Sequence, residues 1–167
     1  PEDPSGSWTW HPVTGQEGIS HTQLHDFDAD GDLDLALAAG NGGRGLFLFL
    51  CPEKPAEDSW EQHTIDSEIT CPRGLKVIDM DGDGDADIAS CSLDPAHPAK
   101  EKHHVYVYEN SGSSPQPAWK IHNISGDSFP CLRIQVMDVD GDGKLDISGV
   151  GSTLPVVSFY NNGSPEE

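Results

Sequence analysis

Residues 79–87 read DMDGDGDAD, and the same nine-residue pattern stands as DFDADGDLD at 26–34 and as DVDGDGKLD at 138–146. Each copy has Asp at positions 1, 3, 5 and 9 and Gly at position 6. The copies start 53 and then 59 residues apart. A second element keeps the same phase: Trp8-x-x-His11-x-Val13, Trp60-x-x-His63-x-Ile65 and Trp119-x-x-His122-x-Ile124. Two elements recurring three times in register mark a tandem duplication, and a period of this size marks a repeat architecture.

The residues around each loop read as strands. A short alternating run precedes the loop, as in Leu75-Lys-Val77-Ile and Leu132-Arg-Ile134-Gln-Val136. An apolar run follows it, at Leu33 to Ala38, Ile88 to Cys91 and Ile147 to Val150. After a Gly- or Pro-containing turn comes a third run, at Leu46 to Leu50, Val105 to Tyr108 and Val156 to Tyr160. The Trp-x-x-His element supplies a fourth. Runs of this length, rich in β-branched and aromatic residues and bounded by Gly, Pro, Asn and Asp, predict strands. Four strands in each repeat predict an all-β chain of antiparallel β-propeller blades.

The loops carry the chemistry. Ca²⁺ is a hard cation that takes about 6–8 oxygen ligands. In a tight loop, positions 1, 3 and 5 turn their carboxylates inward, Gly at 6 permits the sharp turn, position 7 offers a backbone carbonyl, and position 9 adds another carboxylate. The expected side-chain ligands are Asp26, Asp28, Asp30 and Asp34; Asp79, Asp81, Asp83 and Asp87; and Asp138, Asp140, Asp142 and Asp146. The expected carbonyls are those of Asp32, Asp85 and Lys144, and the turn glycines are Gly31, Gly84 and Gly143. The pattern therefore predicts three Ca²⁺ sites. An EF-hand is excluded, because its loop needs a bidentate Glu at position 12 and flanking helices; position 12 is here Leu37, Ser90 and Gly149.

The core D-x-D-x-D-G-x-x-D followed by an apolar strand resembles the FG-GAP/VCBS repeat family, the blade type of integrin α-subunit propellers. The resemblance runs over nearly the whole chain. It implies blades at about 14–66, 67–125 and 126–167, the last completed by 8–13, within a single propeller domain or half-propeller at 1–167. Three blades are fewer than the roughly 4–8 of closed propellers. The expectation is either a homodimer forming a six-bladed ring, with each N-terminal strand completing a last blade, or one part of a longer propeller. The resemblance implies binding or adhesion with a protein partner and a structural rather than catalytic Ca²⁺. The alternatives are a lectin that binds glycan, or an accessory module of a larger secreted enzyme or complex.

Composition sets the outer bounds. Twenty-nine acids against nine Lys plus Arg give a formal net charge of −20. Such a chain is repelled by nucleic acid phosphates and anionic lipid. Fourteen of those acids fall in the three loops, so the charge marks sites more than a solvated surface. No apolar run reaches the roughly 18–20 residues of a membrane span. The chain begins on Pro1, which suggests a processed form or a segment. Cys51, Cys71, Cys91 and Cys131 lack a CxxC spacing; in a secreted protein they suggest disulfides, with three pairings open. The expected location is extracellular or another oxidising, Ca²⁺-rich compartment. No nucleophile elbow, P-loop or dinucleotide fingerprint is present, so no enzyme is expected.

Overall fold

The computed structural model describes residues 5–92, 104–112, 117–125, 131–151 and 157–160. Among them are strands and no helix. The first sheet runs in chain order through β1 (His21–His25), β2 (Asp34–Ala38), β3 (Arg44–Leu50) and β4 (Glu61–Thr70). The second repeats that order with β5 (Pro72–Ile78), β6 (Asp87–Ser92), β7 (Val105–Asn110) and β8 (Trp119–Asn123). The third holds β9 (Arg133–Met137), β10 (Asp146–Val150) and β11 (Val157–Tyr160). Every pairing is antiparallel, and each acidic loop joins the first two strands of its sheet. These are the expected blades. The Trp-x-x-His elements at 60–65 and 119–124 enter the fourth strands, where His63 pairs with Leu48 and His122 with Val107.

The first fourth strand runs past the repeat boundary at 66/67 to Thr70. Register shifts on both sides of Leu46, next to Gly45 at φ 108°, let β3 bend and keep β4 paired.

Alternation along the strands decides the stacking. In β2, Ala36 and Ala38 turn toward the second sheet, while Leu37 and the following Ala39 turn away. One core joins the first and second sheets through Leu46, Leu48, Ile65, Leu75, Ile88 and Tyr108. Another joins the second and third through Ala89, Cys91, Val105, Cys131, Ile134 and Ile147. All six residues of β6 are buried because both faces of the second sheet are covered. Burying one Leu or Ile side chain is worth about 1.5–3 kcal/mol. An exposed ion pair such as Arg44–Glu68 is worth ~1 kcal/mol or less. The stack is therefore held by its interblade cores.

Polar contacts fix the angle between the first two blades. Ser20 Oγ donates to the Pro72 carbonyl at 2.6 Å, and the Val77 N–H donates to Gln23 Oε1 at 2.6 Å. The Tyr108 hydroxyl, buried at the same interface, donates to Asp66 Oδ2 at 2.8 Å.

The N-terminal element differs from its expected form. Residues 8–13 form no strand. Trp8 and Trp10 are exposed at 72% and 83%, and Val13 packs on the outer face of the first sheet against the cluster of Leu37, Ala39 and Phe49. An extended segment becomes a strand only when a ladder partner satisfies its backbone groups, and none of the described strands pairs with this one.

Candidate metal centres

Each loop is built around its first and last carboxylates. Position 1 organises the turn. Asp79 Oδ1 accepts the Gly82 N–H at 2.7 Å and Oδ2 accepts the Gly84 N–H at 3.0 Å. Asp138 does the same with Gly141 and Gly143, at 2.7 and 2.9 Å. Asp26 accepts from Asp30 and Gly31, at 3.1 and 3.0 Å. The position-6 glycines Gly31, Gly84 and Gly143 have φ of 101°, 100° and 86°, and a Cβ on any of them would meet nothing. Glycine is needed there for its backbone freedom and not for space.

Position 9 is buried. Asp34, Asp87 and Asp146 are 1%, 1% and 0% exposed. Each draws the loop's second residue down onto itself: the N–H groups of Phe27, Met80 and Val139 donate to their Oδ2 at 2.8, 2.8 and 2.9 Å. The other oxygen ties in the chain leaving the third strand. Cys51 N–H donates to Asp34 Oδ1 and Asn110 N–H to Asp87 Oδ1, both at 2.8 Å. The sequence pattern gives no sign of this last bond, because the donor lies 17 or 23 residues away and uses only its backbone.

These bonds bring three carboxylates together in every loop. Asp26, Asp28 and Asp34 each offer an oxygen within 4.8 Å of the others, as do Asp79, Asp81 and Asp87, and Asp138, Asp140 and Asp146. The position-5 residues Asp30, Asp83 and Asp142 fall outside these triads; each accepts the N–H of position 7 at 2.8–2.9 Å. Position 7 is variable, Asp32, Asp85 or Lys144. An ionised carboxylate has about four acceptor sites on its two oxygens, so one or two N–H bonds leave lone pairs free. The donors are all hard oxygens, which suits Ca²⁺ and disfavours soft transition metals. The residues present thus fit a divalent hard cation.

The electrostatics agree. Burial pushes the carboxyls of Asp28, Asp34 and Asp87 above their ordinary range. Neighbouring carboxylates push the same way: Asp34, Asp30 and Asp26 on Asp28, and Asp81 and Asp83 on Asp87. A divalent cation removes that repulsion.

The match begins at a loop and ends at the next. Residues 79–147 match the family model of the FG-GAP-like repeat. That stretch carries the FG-GAP-like repeat. The matched stretch runs from position 1 of the second loop to one residue past position 9 of the third, one full repeat period and the next loop. No curated protein matches the chain.

Other residues singled out in the sequence are scattered. Trp119 packs edge-on against Phe27 at 6.0 Å, inside the core between the first two sheets. Trp60 lies on the outer face of the first sheet, and Trp8 is exposed. His122 Nε2 meets Glu109 Oε2 at 2.6 Å and His63 Nε2 lies 3.0 Å from Glu61. Outside these elements, His104 contacts Asn123. The described histidines join no acidic triad.

Proposed function

We propose that the chain is a β-propeller-type module held together by three Ca²⁺ ions, and that it acts by binding a protein partner rather than by catalysis. The observation that carries this reading is the triad of carboxylates at positions 1, 3 and 9, repeated in all three loops. Asp26, Asp28 and Asp34, and their equivalents, would hold the ion. Position 5 and the position-7 carbonyl would complete its shell. The ion neutralises charge that the fold concentrates, and so fixes the turn between the first two strands of each blade. Aspartates engaged this way are not free to act as general acids.

Extracellular modules bind Ca²⁺ with Kd of about 10⁻⁴–10⁻³ M. With ~1 mM free Ca²⁺ and a Kd near 0.1 mM, each site adds roughly 1.4 kcal/mol, or about 4 kcal/mol for three. The end faces of the stack supply the binding surface. Met137, Val139 and Val150 are exposed at 48%, 45% and 47%, and they lie on or beside the third sheet. A second copy or further blades would cover such a face head-to-tail, and the contact must close into a ring to avoid filaments.

Calorimetric titration of the chelated protein with Ca²⁺ tests the reading, together with light scattering in both states. About three ions per chain are expected, with a melting temperature that falls in EGTA. Failure to take up Ca²⁺, or an unchanged melt after its proven removal, overturns the structural role.

A further inference from the structure

Each of the four cysteines is a thiol in the structure, but two of them meet. Cys91 lies in β6 and Cys131 just before β9, both fully buried in the core between the second and third sheets. The Cys91 thiol donates to the Cys131 carbonyl at 3.2 Å, and the two side chains are in hydrogen-bond contact. The space is shaped for this approach: a Cβ on Gly74 would come within 3.0 Å of the Cys91 sulfur and 3.0 Å of Ile134 Cγ1. The glycine leaves room for Cys91 to reach across to the third sheet.

We infer that Cys91 and Cys131 form a disulfide that ties the second blade to the third, while Cys51 and Cys71 remain thiols.

The Cys51–Cys71 pairing fails on distance, and the Cys91 sulfur is already turned to Cys131. A disulfide needs Cα atoms about 4.4–6.8 Å apart. Cys51 follows Leu50 at one end of β3 and donates its N–H to Asp34, at the metal-loop end of the blade. Cys71 donates its N–H to Gly43, just before the other end of β3. Seven strand residues separate those ends, about 23 Å at 3.3 Å per residue. Cys91 stands four residues beyond Asp87, also away from the metal loops, and its sulfur faces Cys131.

The bond forms by exchange. The Cys131 thiolate attacks a disulfide donor, such as a small-molecule or oxidoreductase disulfide, and releases one donor thiol. The Cys91 thiolate then attacks the Cys131 sulfur of the mixed disulfide and releases the second. Two S–H bonds are lost, one S–S bond forms, and two electrons and two protons pass to the donor. In the closed core, contact with Cys91 lowers the Cys131 thiol; before closure either thiolate can attack first, and the balance is the same. The reciprocal contact, with burial, raises Cys91. Both sulfurs are inaccessible in the folded chain, so the exchange belongs to folding, before this core closes. Afterwards the bond is shielded from reductant.

The test uses the full chain refolded in a glutathione and glutathione-disulfide mixture with Ca²⁺. Digestion without reductant, read by mass spectrometry, is expected to give one linked peptide pair containing Cys91 and Cys131. Thiol titration in denaturant is expected to find two thiols per chain, and four after reduction. The Cys91→Ser and Cys131→Ser chains are each expected to show three thiols under both conditions, a readout that does not depend on folding. Reduction is expected to lower the melting temperature of the parent by about 4–15 °C. Four thiols in the refolded parent, or a link involving Cys51 or Cys71, overturns the inference.

Discussion

Asp87 is the strictest test of how the loops work, because the structure gives it two separable duties. Its Oδ2 accepts the Met80 N–H and its Oδ1 the Asn110 N–H, both at 2.8 Å, while it completes a triad with Asp79 and Asp81. Replacing it with Ala strands two backbone N–H groups, one of them buried at Asn110 and the other partly so. A stranded buried donor costs about 1–3 kcal/mol. Removing a carboxyl whose charged form is disfavoured by burial returns part of that. A net loss of about 2–4 kcal/mol is expected, or roughly 4–16 °C in melting temperature for a chain of this size. This loss is present with or without Ca²⁺. Asp81→Asn is the control. Asp81 is exposed and accepts one long bond, from Asp83 N–H at 3.2 Å through an oxygen that the amide retains. That variant is expected to melt like the parent in EGTA and below it in Ca²⁺. Thermal unfolding of both variants in EGTA and in excess Ca²⁺ gives four numbers. If Asp87→Ala melts like the parent in EGTA, position 9 is a metal ligand only and the latch described here is wrong.

Three further outcomes are expected. In EGTA, the raised carboxyls of Asp34 and Asp87 disfavour the fold while they are ionised, so the penalty is full above their folded pKa and lifts as pH falls through it. The chelated protein should therefore gain stability on acidification from neutral pH. The Ca²⁺-loaded protein should lose it as protons compete with the ion; parallel pH profiles in the two states would count against the triads. Ala29 occupies position 4 at φ 60°, where the other loops have Gly82 and Gly141 at φ 80° and 81°. Ala29→Gly should stabilise the chain by up to ~1 kcal/mol and Gly82→Ala should cost about 1 kcal/mol, read from urea midpoints. Tyr108→Phe removes a hydrogen bond to the Asp66 carboxylate and should cost about 1.5–3 kcal/mol. Burial, and then Asp66, hold the Tyr108 hydroxyl above its ordinary pKa, so this part of the stability is full below about pH 10 and is lost above it. An ultraviolet titration should find one tyrosine that ionises only on unfolding.

The fold was legible because its signals are local. The acidic loops, the short alternating and apolar runs around them and the Trp-x-x-His elements at 60–65 and 119–124 each lie within about ten residues, and the structure puts these in the expected sheets. That the carboxylates at positions 1, 3 and 9 of each loop come together was legible for the same reason. What sequence could not supply depends on atoms brought together from afar. The bonds from Cys51 and Asn110 to position 9 use backbone donors that carry no side-chain signature. The meeting of Cys91 with Cys131 spans 40 residues and requires the second and third sheets to be stacked first. The N-terminal element shows the reverse case. Trp8-x-x-His11-x-Val13 has the local pattern of a fourth strand, yet a strand exists only with its neighbour.

One residue joins the metal sites to the stacking of the blades. The second residue of each loop is fixed by its N–H on the position-9 carboxylate, and in the first two loops its side chain packs in the core shared with the following blade. Phe27 enters the core between the first and second sheets and meets Trp119 of the second. Met80 packs on the core between the second and third. Val139, in the same place on the third, is 45% exposed. On the proposed reading, an ion that stiffens a loop would also set the aromatic or aliphatic contact with the next blade, coupling cation binding to blade association through Asp34 and Asp87. The third loop has the same latch, Val139 N–H to Asp146, with no described blade beyond it. By this logic Val139 is the position where a following blade would be felt first, and its ion should be the one whose affinity changes most when that face is covered.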